Sequence, residues 1–221
     1  MFDGGAVMDI ELMRRGAEAP ETATLATVDS AARDLADAFV DDPVFNWFSR
    51  ADHRRDAARL IFFRHLIKEL VLGVGEVQRP AAGGAAAVWI PSEAFGPIPL
   101  HKELQGLPML LGLTGGARFW RLLQLREAMD RHHPMDRPHA YLWFLGVAPQ
   151  AQGHGVGSRL LKAKTDQLDA DRRPAFLETA TARNVALYRR HGFEVVAEYR
   201  PSTSGPMNWA MWRDPRRPSV S

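Results

Sequence analysis

The chain has 221 residues, 46% of them hydrophobic, with 28 Lys and Arg against 26 Asp and Glu for a formal charge of +2. That length and apolar content fit one domain with a full core, and the near-balanced charge excludes the dense basic face of a nucleic-acid binder. With no cysteine, disulfides, thiolate metal sites and a cysteine nucleophile are excluded, which suits a cytoplasmic protein.

Residues 1–20 hold Gly, Ala, Glu and Pro without periodicity and read as a loosely ordered N-terminal extension. Met1-Phe2-Asp3-Gly4-Gly5 has neither the positive start nor the apolar centre of a secretory signal. No apolar run approaches the ~20 residues needed to span a bilayer, so no membrane partner is expected. A first strand is predicted over 22–28, then a helix capped by Asp29 or Ser30 that buries Ala32, Leu35, Ala36 and Phe39. Asp41-Asp42-Pro43 stops it. A longer helix is predicted over 52–72, with Leu60, Ile61, Phe63, Leu66, Ile67 and Leu70 inward. Strands 76–78 and 84–90 flank a Pro80-Ala81-Ala82-Gly83 turn. Residues 91–99 read as loop, and Leu-rich helical pieces fill 100–131. Strand 140–147, helix 155–170, strand 175–180, helix 182–191 and strands 193–200 and 206–213 follow, and 215–221 has the composition of a frayed tail. This order predicts an α/β fold, one mixed sheet with helices on both faces.

The most informative stretch joins strand 140–147 to helix 155–170. Tyr141-Leu142-Trp143-Phe144-Leu145-Gly146-Val147 is apolar enough to be a buried strand. After the turn, Val156, Leu160, Leu161 and Leu168 share a helix face. Strand, glycine-rich turn and helix together present unpaired N–H groups and a positive helix end to a phosphate. Gly153, Gly155 and Gly157 let the backbone come close without a Cβ in the way. The Walker pattern is absent, because no Lys follows the last glycine, and the dinucleotide fingerprint would need a glycine where Ser158 stands. Further on, Asn184 and Tyr188 are four residues apart and project from one helix face, which Gly192 closes after a basic last turn. Glu178 sits in an otherwise apolar strand, where burial would raise its pKa toward the range of a useful base.

The pattern Q/R-x-x-G-x-G/A, met by Gln150, Gly153 and Gly155 after Val147-Ala148-Pro149, resembles the acetyl-CoA loop of the GNAT superfamily of N-acyltransferases. Asn184-Val185-Ala186-Leu187-Tyr188-Arg189-Arg190-His191-Gly192-Phe193 resembles its second signature. Several segments look like the antibiotic-modifying branch of puromycin N-acetyltransferases: Pro174-Ala175-Phe176-Leu177-Glu178-Thr179, Arg183-Asn184, Ala86-Ala87-Val88-Trp89 with Pro91, His133, and Phe39-Val40-Asp41-Asp42-Pro43. The likeness spans residues 22–213, with departures at His154, where Lys or Arg is common, and over 95–131.

The resemblance implies a GNAT domain over 21–214 whose sheet is mostly antiparallel, with a splayed central parallel pair, strands 140–147 and 175–180. Acetyl-CoA would be the co-substrate, entering between those strands, and the acceptor a primary amine of a small molecule attacking directly in a ternary complex. Backbone groups of Leu145, Gly146 and Val147 would hold the pantetheine arm. Gln152, Gly153, His154, Gly155, Val156, Gly157 and Ser158 would hold the pyrophosphate. Asn184 would steady the cofactor, a helix N-cap being its plainer reading. Tyr188 is the candidate general acid, with core packing as the alternative. Glu178 is the candidate general base, with an ion pair to an arginine such as Arg183 as the alternative. His133 and His139 could relay a proton, though each also reads as a surface or pairing histidine. Phe45, Trp47, Phe48, Trp89, Phe119 and Trp120 are core residues or walls of an acceptor pocket. Competing functions are acetylation of a peptide N-terminus or lysine, and a non-catalytic acyl-CoA-binding module. No metal and no nucleic acid are expected, and homo-oligomer formation is left open.

Overall fold

The computed structural model describes residues 9–94 and 100–216. Seven strands, β1 (Glu21–Thr22), β2 (Glu76–Arg79), β3 (Ala85–Pro91), β4 (Ala140–Val147), β5 (Ala175–Thr179), β6 (Glu194–Tyr199) and β7 (Asn208–Arg213), form one sheet in the order β1-β2-β3-β4-β5-β7-β6. Among the strands of the described residues only β4 and β5 run parallel, paired as Ala140 with Ala175, Tyr141 with Phe176 and Leu142 with Leu177. Beyond Leu142 the two strands diverge. The mixed, mostly antiparallel sheet with a splayed central pair is therefore as predicted.

A bulge marks the point of divergence. Phe144 stands opposite Val88 of β3 while Leu142 stands opposite Trp89, so Trp143 is the extra residue of β4. Such an insertion increases local twist and bends its strand. Trp143 and Phe144 consequently pack toward the same side of the sheet, and Leu145 returns to the other.

The described residues form eight α-helices around the sheet: α1 (Ile10–Glu18), α2 (Val28–Ala38), α3 (Pro43–Phe48), α4 (Arg55–His65), α5 (Leu100–Thr114), α6 (Phe119–His132), α7 (Val156–Ala170) and α8 (Ala182–Arg190). On one face Val88, Ile90 and Phe144 meet Leu35 of α2, Phe45 and Phe48 of α3 and Phe63 of α4. On the other, Leu142, Leu177 and Met211 meet Leu161 and Leu168 of α7 and Val185 and Tyr188 of α8.

The N-terminal half departs from the sequence expectations in several places. The extension read as loosely ordered contains α1, capped by the Asp9 carboxylate accepting from Glu11 N and Leu12 N at 3.0 and 3.1 Å. Met13 and Ala17 bury against Val156 and Leu160 of α7, while residues 1–8 and 217–221 lie outside the described residues. The strand predicted over 22–28 is only Glu21–Thr22, because Thr24 N donates to Thr27 Oγ1 at 2.9 Å and turns the chain into α2. That helix starts at Val28, so neither Asp29 nor Ser30 is its cap. α2 ends at Ala38, before the predicted Asp41-Asp42-Pro43 stop, and Asp42-Pro43 instead starts the next helix: Pro43 opens α3 and the Asp42 side chain accepts from Phe45 N at 2.8 Å. Finally, the helix predicted over 52–72 is α4 followed by a π-helical turn, Leu66–Val71. Of the loop predicted over 91–99, Pro91 belongs to β3, Ser92–Ala94 is a 3-10 turn and 95–99 lie outside the described residues.

Candidate active site

The turn between β4 and α7 is shaped by its glycines, each for a different reason. Gly153 and Gly155 have φ of +81° and +79°, conformations that side chains with a Cβ rarely adopt. Gly157 is helical and buried, and a Cβ there would sit 3.0 Å from Val147 Cγ2, so its small size serves packing of α7 on β4. Gly146 is likewise explained by packing, because its Cβ would stand 2.7 Å from Ala38 Cβ of α2. No backbone N–H of Gly153, His154, Gly155, Val156, Gly157 or Ser158 finds an acceptor among the described residues. These donors surround the N-terminus of a 15-residue helix, the arrangement that favours an anion. Gln152 and His154 are exposed at the rim, and Gln152 Nε2 donates to Val147 O at 3.0 Å.

Sequence reasoning missed two side chains beside this cradle. Arg159 Nε donates to Glu18 of α1 at 2.7 Å and its Nη1 reaches Gly155 O at 3.4 Å. Ser158 Oγ lies 2.8 Å from His191 Nε2 at the end of α8. The ties of Arg159 to Glu18 and of Ser158 to His191 have no local signal, since their partners are 141 and 33 residues apart.

The residues singled out for chemistry fall on opposite faces of the sheet beside the divergence of β4 and β5. Tyr188 packs with Leu142, Leu177 and Val185 on the α7 face, 5% exposed. Its hydroxyl makes no hydrogen bond to a described residue. Burial, with the Asp42 charge adding to it, raises the phenol pKa above its ordinary value. Asn184 is half-buried in the first turn of α8, one turn before Tyr188, and the cap of that helix is Thr181, so the N-cap reading of Asn184 is corrected.

Glu178 accepts from the Tyr141 hydroxyl at 3.2 Å and from the Tyr199 hydroxyl. Its alternative reading, an ion pair with Arg183, is therefore replaced by a cage of two phenols. Burial pushes the carboxyl up to about 7, the two hydroxyls oppose that rise, and Asp130 adds to it. His132 stacks on Tyr199 with ring centroids 4.1 Å apart. His133 and His139 face each other with their Nε2 atoms 3.1 Å apart, and the His133 ring lies edge-on to Tyr141. Burial lowers the His133 pKa to about 4, with the His139 charge in the same direction, and burial also lowers that of His139. The pair thus stands beside the carboxylate cage with its charged forms disfavoured by burial.

Of the aromatic candidates, Phe45 and Phe48 are in the core, their rings 5.0 Å apart. Trp89 is buried on the α7 face, away from Glu178. Trp120 is 51% exposed, and Trp47 is half-buried with the Arg121 guanidinium 5.7 Å over its ring. Trp143, which sequence reading took only as strand, packs against the layer that holds Tyr141 and Tyr199. Among the described residues no helix is long and apolar enough to cross a membrane, and no group of three His, Asp or Glu is placed to hold a metal ion.

The open sheet with its diverging parallel pair and glycine turn is the arrangement that the sequence resemblance implied, and comparison with known proteins bears on its class. Residues 115–195 match the model of the acetyltransferase (GNAT) domain. Over 178 residues the chain is 27% identical to an uncharacterized N-acetyltransferase of Schizosaccharomyces pombe, covering 74% of this chain and 69% of that one. A crystal structure described as histone acetyltransferase HPA2 and related acetyltransferase, from Corynebacterium glutamicum, superimposes with a TM-score of 0.67 at 26% identity, covering 91% of this chain and 98% of that one. Arylalkylamine N-acetyltransferase 2 from Aedes aegypti shares the fold, with a TM-score of 0.59, 14% identity and coverage of 89% and 98%. These matches support the GNAT acetyltransferase superfamily, and the protein is an acetyltransferase enzyme.

Proposed function

We propose that the protein is a cytoplasmic, acetyl-CoA-dependent N-acetyltransferase whose acceptor is the primary amine of a small molecule, attacking directly in a ternary complex. The observation that carries this reading is the divergence of β4 and β5 beyond Leu142, with unpaired N–H donors on one side and a buried carboxylate on the other. The residues fit a pyrophosphate: the N–H groups of Gly153, His154, Gly155, Val156, Gly157 and Ser158 converge on a helix end, and a Cβ at Gly155 would meet Arg159 Nη1 at 2.7 Å. When bound, acetyl-CoA supplies the activated acyl group. The β4 backbone at Leu145, Gly146 and Val147 would pair with its pantetheine arm and Asn184 would steady it. Tyr188, protonated and buried, would donate its proton to the departing sulfur. Glu178, with a pKa near the working pH, would accept the proton of the attacking amine.

The shared fold of the arylalkylamine N-acetyltransferase supports a small-amine acceptor. The residues resembling the puromycin N-acetyltransferase branch favour an amine on an aromatic or nucleoside-like body. The test is thiol release from acetyl-CoA in the presence of aminonucleosides, aminoglycosides, polyamines and peptides. The chain has no cysteine, so any thiol that appears comes from the cofactor. Release with a small amine is expected; release only with peptides, or with none of these amines, would overturn the reading.

A further inference from the structure

On the reading that the turn before α7 takes the cofactor's pyrophosphate, we propose that His191 is a positioning residue for Ser158. Its Nε2–H donates to Ser158 Oγ, so that the hydroxyl hydrogen points at a phosphate oxygen. Ser158 lies in the first turn of α7 among the unpaired N–H groups, and the His191 ring is one hydroxyl away, at 2.8 Å. A serine hydroxyl has one hydrogen to give. Donated to an imidazole, that hydrogen is lost to the anion; receiving a hydrogen bond from the imidazole instead leaves it free to point outward.

The backbone holds the ring in place. Gly192, with φ of +87°, donates to Arg189 O at 3.0 Å and Phe193 N donates to Tyr188 O at 3.1 Å, the Schellman closure of α8. Arg213 Nε donates to His191 O at 2.8 Å. The charges that face the ring come from every side: Arg190 on its own helix, Lys162 on α7, Arg213 on β7 and Arg216 beyond it. Asp169 accepts from the Arg213 guanidinium and from the Arg216 backbone N–H, and Asp166 engages Lys162. Burial first, then those cations, lower the ring's pKa. A bound pyrophosphate offsets the cations, and the ring gains a proton. Protonated imidazole has no acceptor nitrogen, so the donor direction is then fixed. Binding and proton uptake are linked at this one side chain.

Calorimetry tests this with dephospho-CoA, whose pyrophosphate diester stays ionised around neutral pH, in two buffers of different ionisation enthalpy at pH of about 6.5. Wild-type protein should take up protons on binding. The comparison is made in a His154→Gln background, so that the exposed imidazole of the turn adds no protons of its own; there His191→Gln keeps a donor that does not titrate, so uptake should vanish while affinity stays within about threefold of that background. His191→Leu should weaken binding about tenfold, and should cost nothing more in a Ser158→Ala background. Uptake that persists in His191→Gln, or a His191→Leu loss undiminished without the Ser158 hydroxyl, would overturn the proposal and leave His191 to packing. Failure of wild-type protein to bind either dephospho-CoA or CoA would overturn the cofactor site itself, and this inference with it.

Discussion

Glu178 is held between opposing forces. Burial favours its neutral form, while hydrogen bonds from Tyr141 and Tyr199 favour the carboxylate, and the balance lies at about 7. Because the folded pKa is raised, the contribution of this group to stability is full below the ordinary carboxylate range and is lost as pH rises through about 7. The rate should move the opposite way, rising with pH through the same value as the base ionises. Glu178→Gln should flatten that limb and lower kcat by ~10²-fold or more, with little change in Tm because the amide still pairs with the phenols. A pH–rate limb that survives the substitution would assign the base elsewhere. Tyr188→Phe tests the acid: kcat should fall by ~10²-fold with acetyl-CoA affinity unchanged, whereas wild-type turnover would leave Tyr188 to packing. The isolation of Glu178 in an apolar strand was legible in the sequence. Its partners were not, because Tyr141 and Tyr199 lie 37 and 21 residues away and no local pattern joins them.

At the scale of elements, the second half of the chain was legible because its strands alternate or run apolar and its turns carry glycine. β4 spans the predicted residues, and α7, β5, α8 and β6 start or end within a residue of prediction. The first half was harder for stated reasons. The sequence of α1 buries only Met13 and Ala17, and the surface that receives them is on α7, late in the chain. The threonines of 22–27 support a strand on propensity but fold into a side-chain-bonded turn. Asp9 and Asp42-Pro43 are start signals that sequence reading could have used. One tie between elements was invisible: Arg213, 2% exposed, joins β7 to the end of α8 through His191 O and to α7 through Asp169 at 2.6 Å. Arg213→Met removes one partner of a buried ion pair, at a cost of ~3 kcal/mol, so Tm should fall by roughly 6–12 °C. An unchanged melting curve would show that the Arg213 ties add nothing measurable to the docking of β7 on α7 and α8.

Across the whole molecule, the sheet is two wings joined at β4 and β5 by Ala140, Tyr141 and Leu142 facing Ala175, Phe176 and Leu177. A ligand seated between the wings would bridge them. Saturating acetyl-CoA, at ~100 times its Kd, should stabilise the fold by ~2.7 kcal/mol. Hydrogen exchange should slow in β4 beyond Leu142 and in the turn at 153–158, and change little in β6 and α5. Protection confined to the turn would place the cofactor on the surface of α7 instead of between the strands.

The bulge at Trp143 makes β4 sensitive to length as well as to composition. A strand alternates its side chains with period two, and the extra residue at 143 is what places two neighbours on one side. Deleting Trp143 removes that extra residue and leaves the alternation regular: Phe144 stays with Phe39 and Phe63, Leu145 keeps its layer, and Gly146 stays beneath Ala38. What goes is the added twist and bend where β4 leaves β5. Deleting Leu145 instead, past the bulge, turns Gly146 and Val147 to the opposite faces. Deletion of Trp143 should therefore leave a folded protein that binds acetyl-CoA less well, whereas deletion of Leu145 should cost the fold itself.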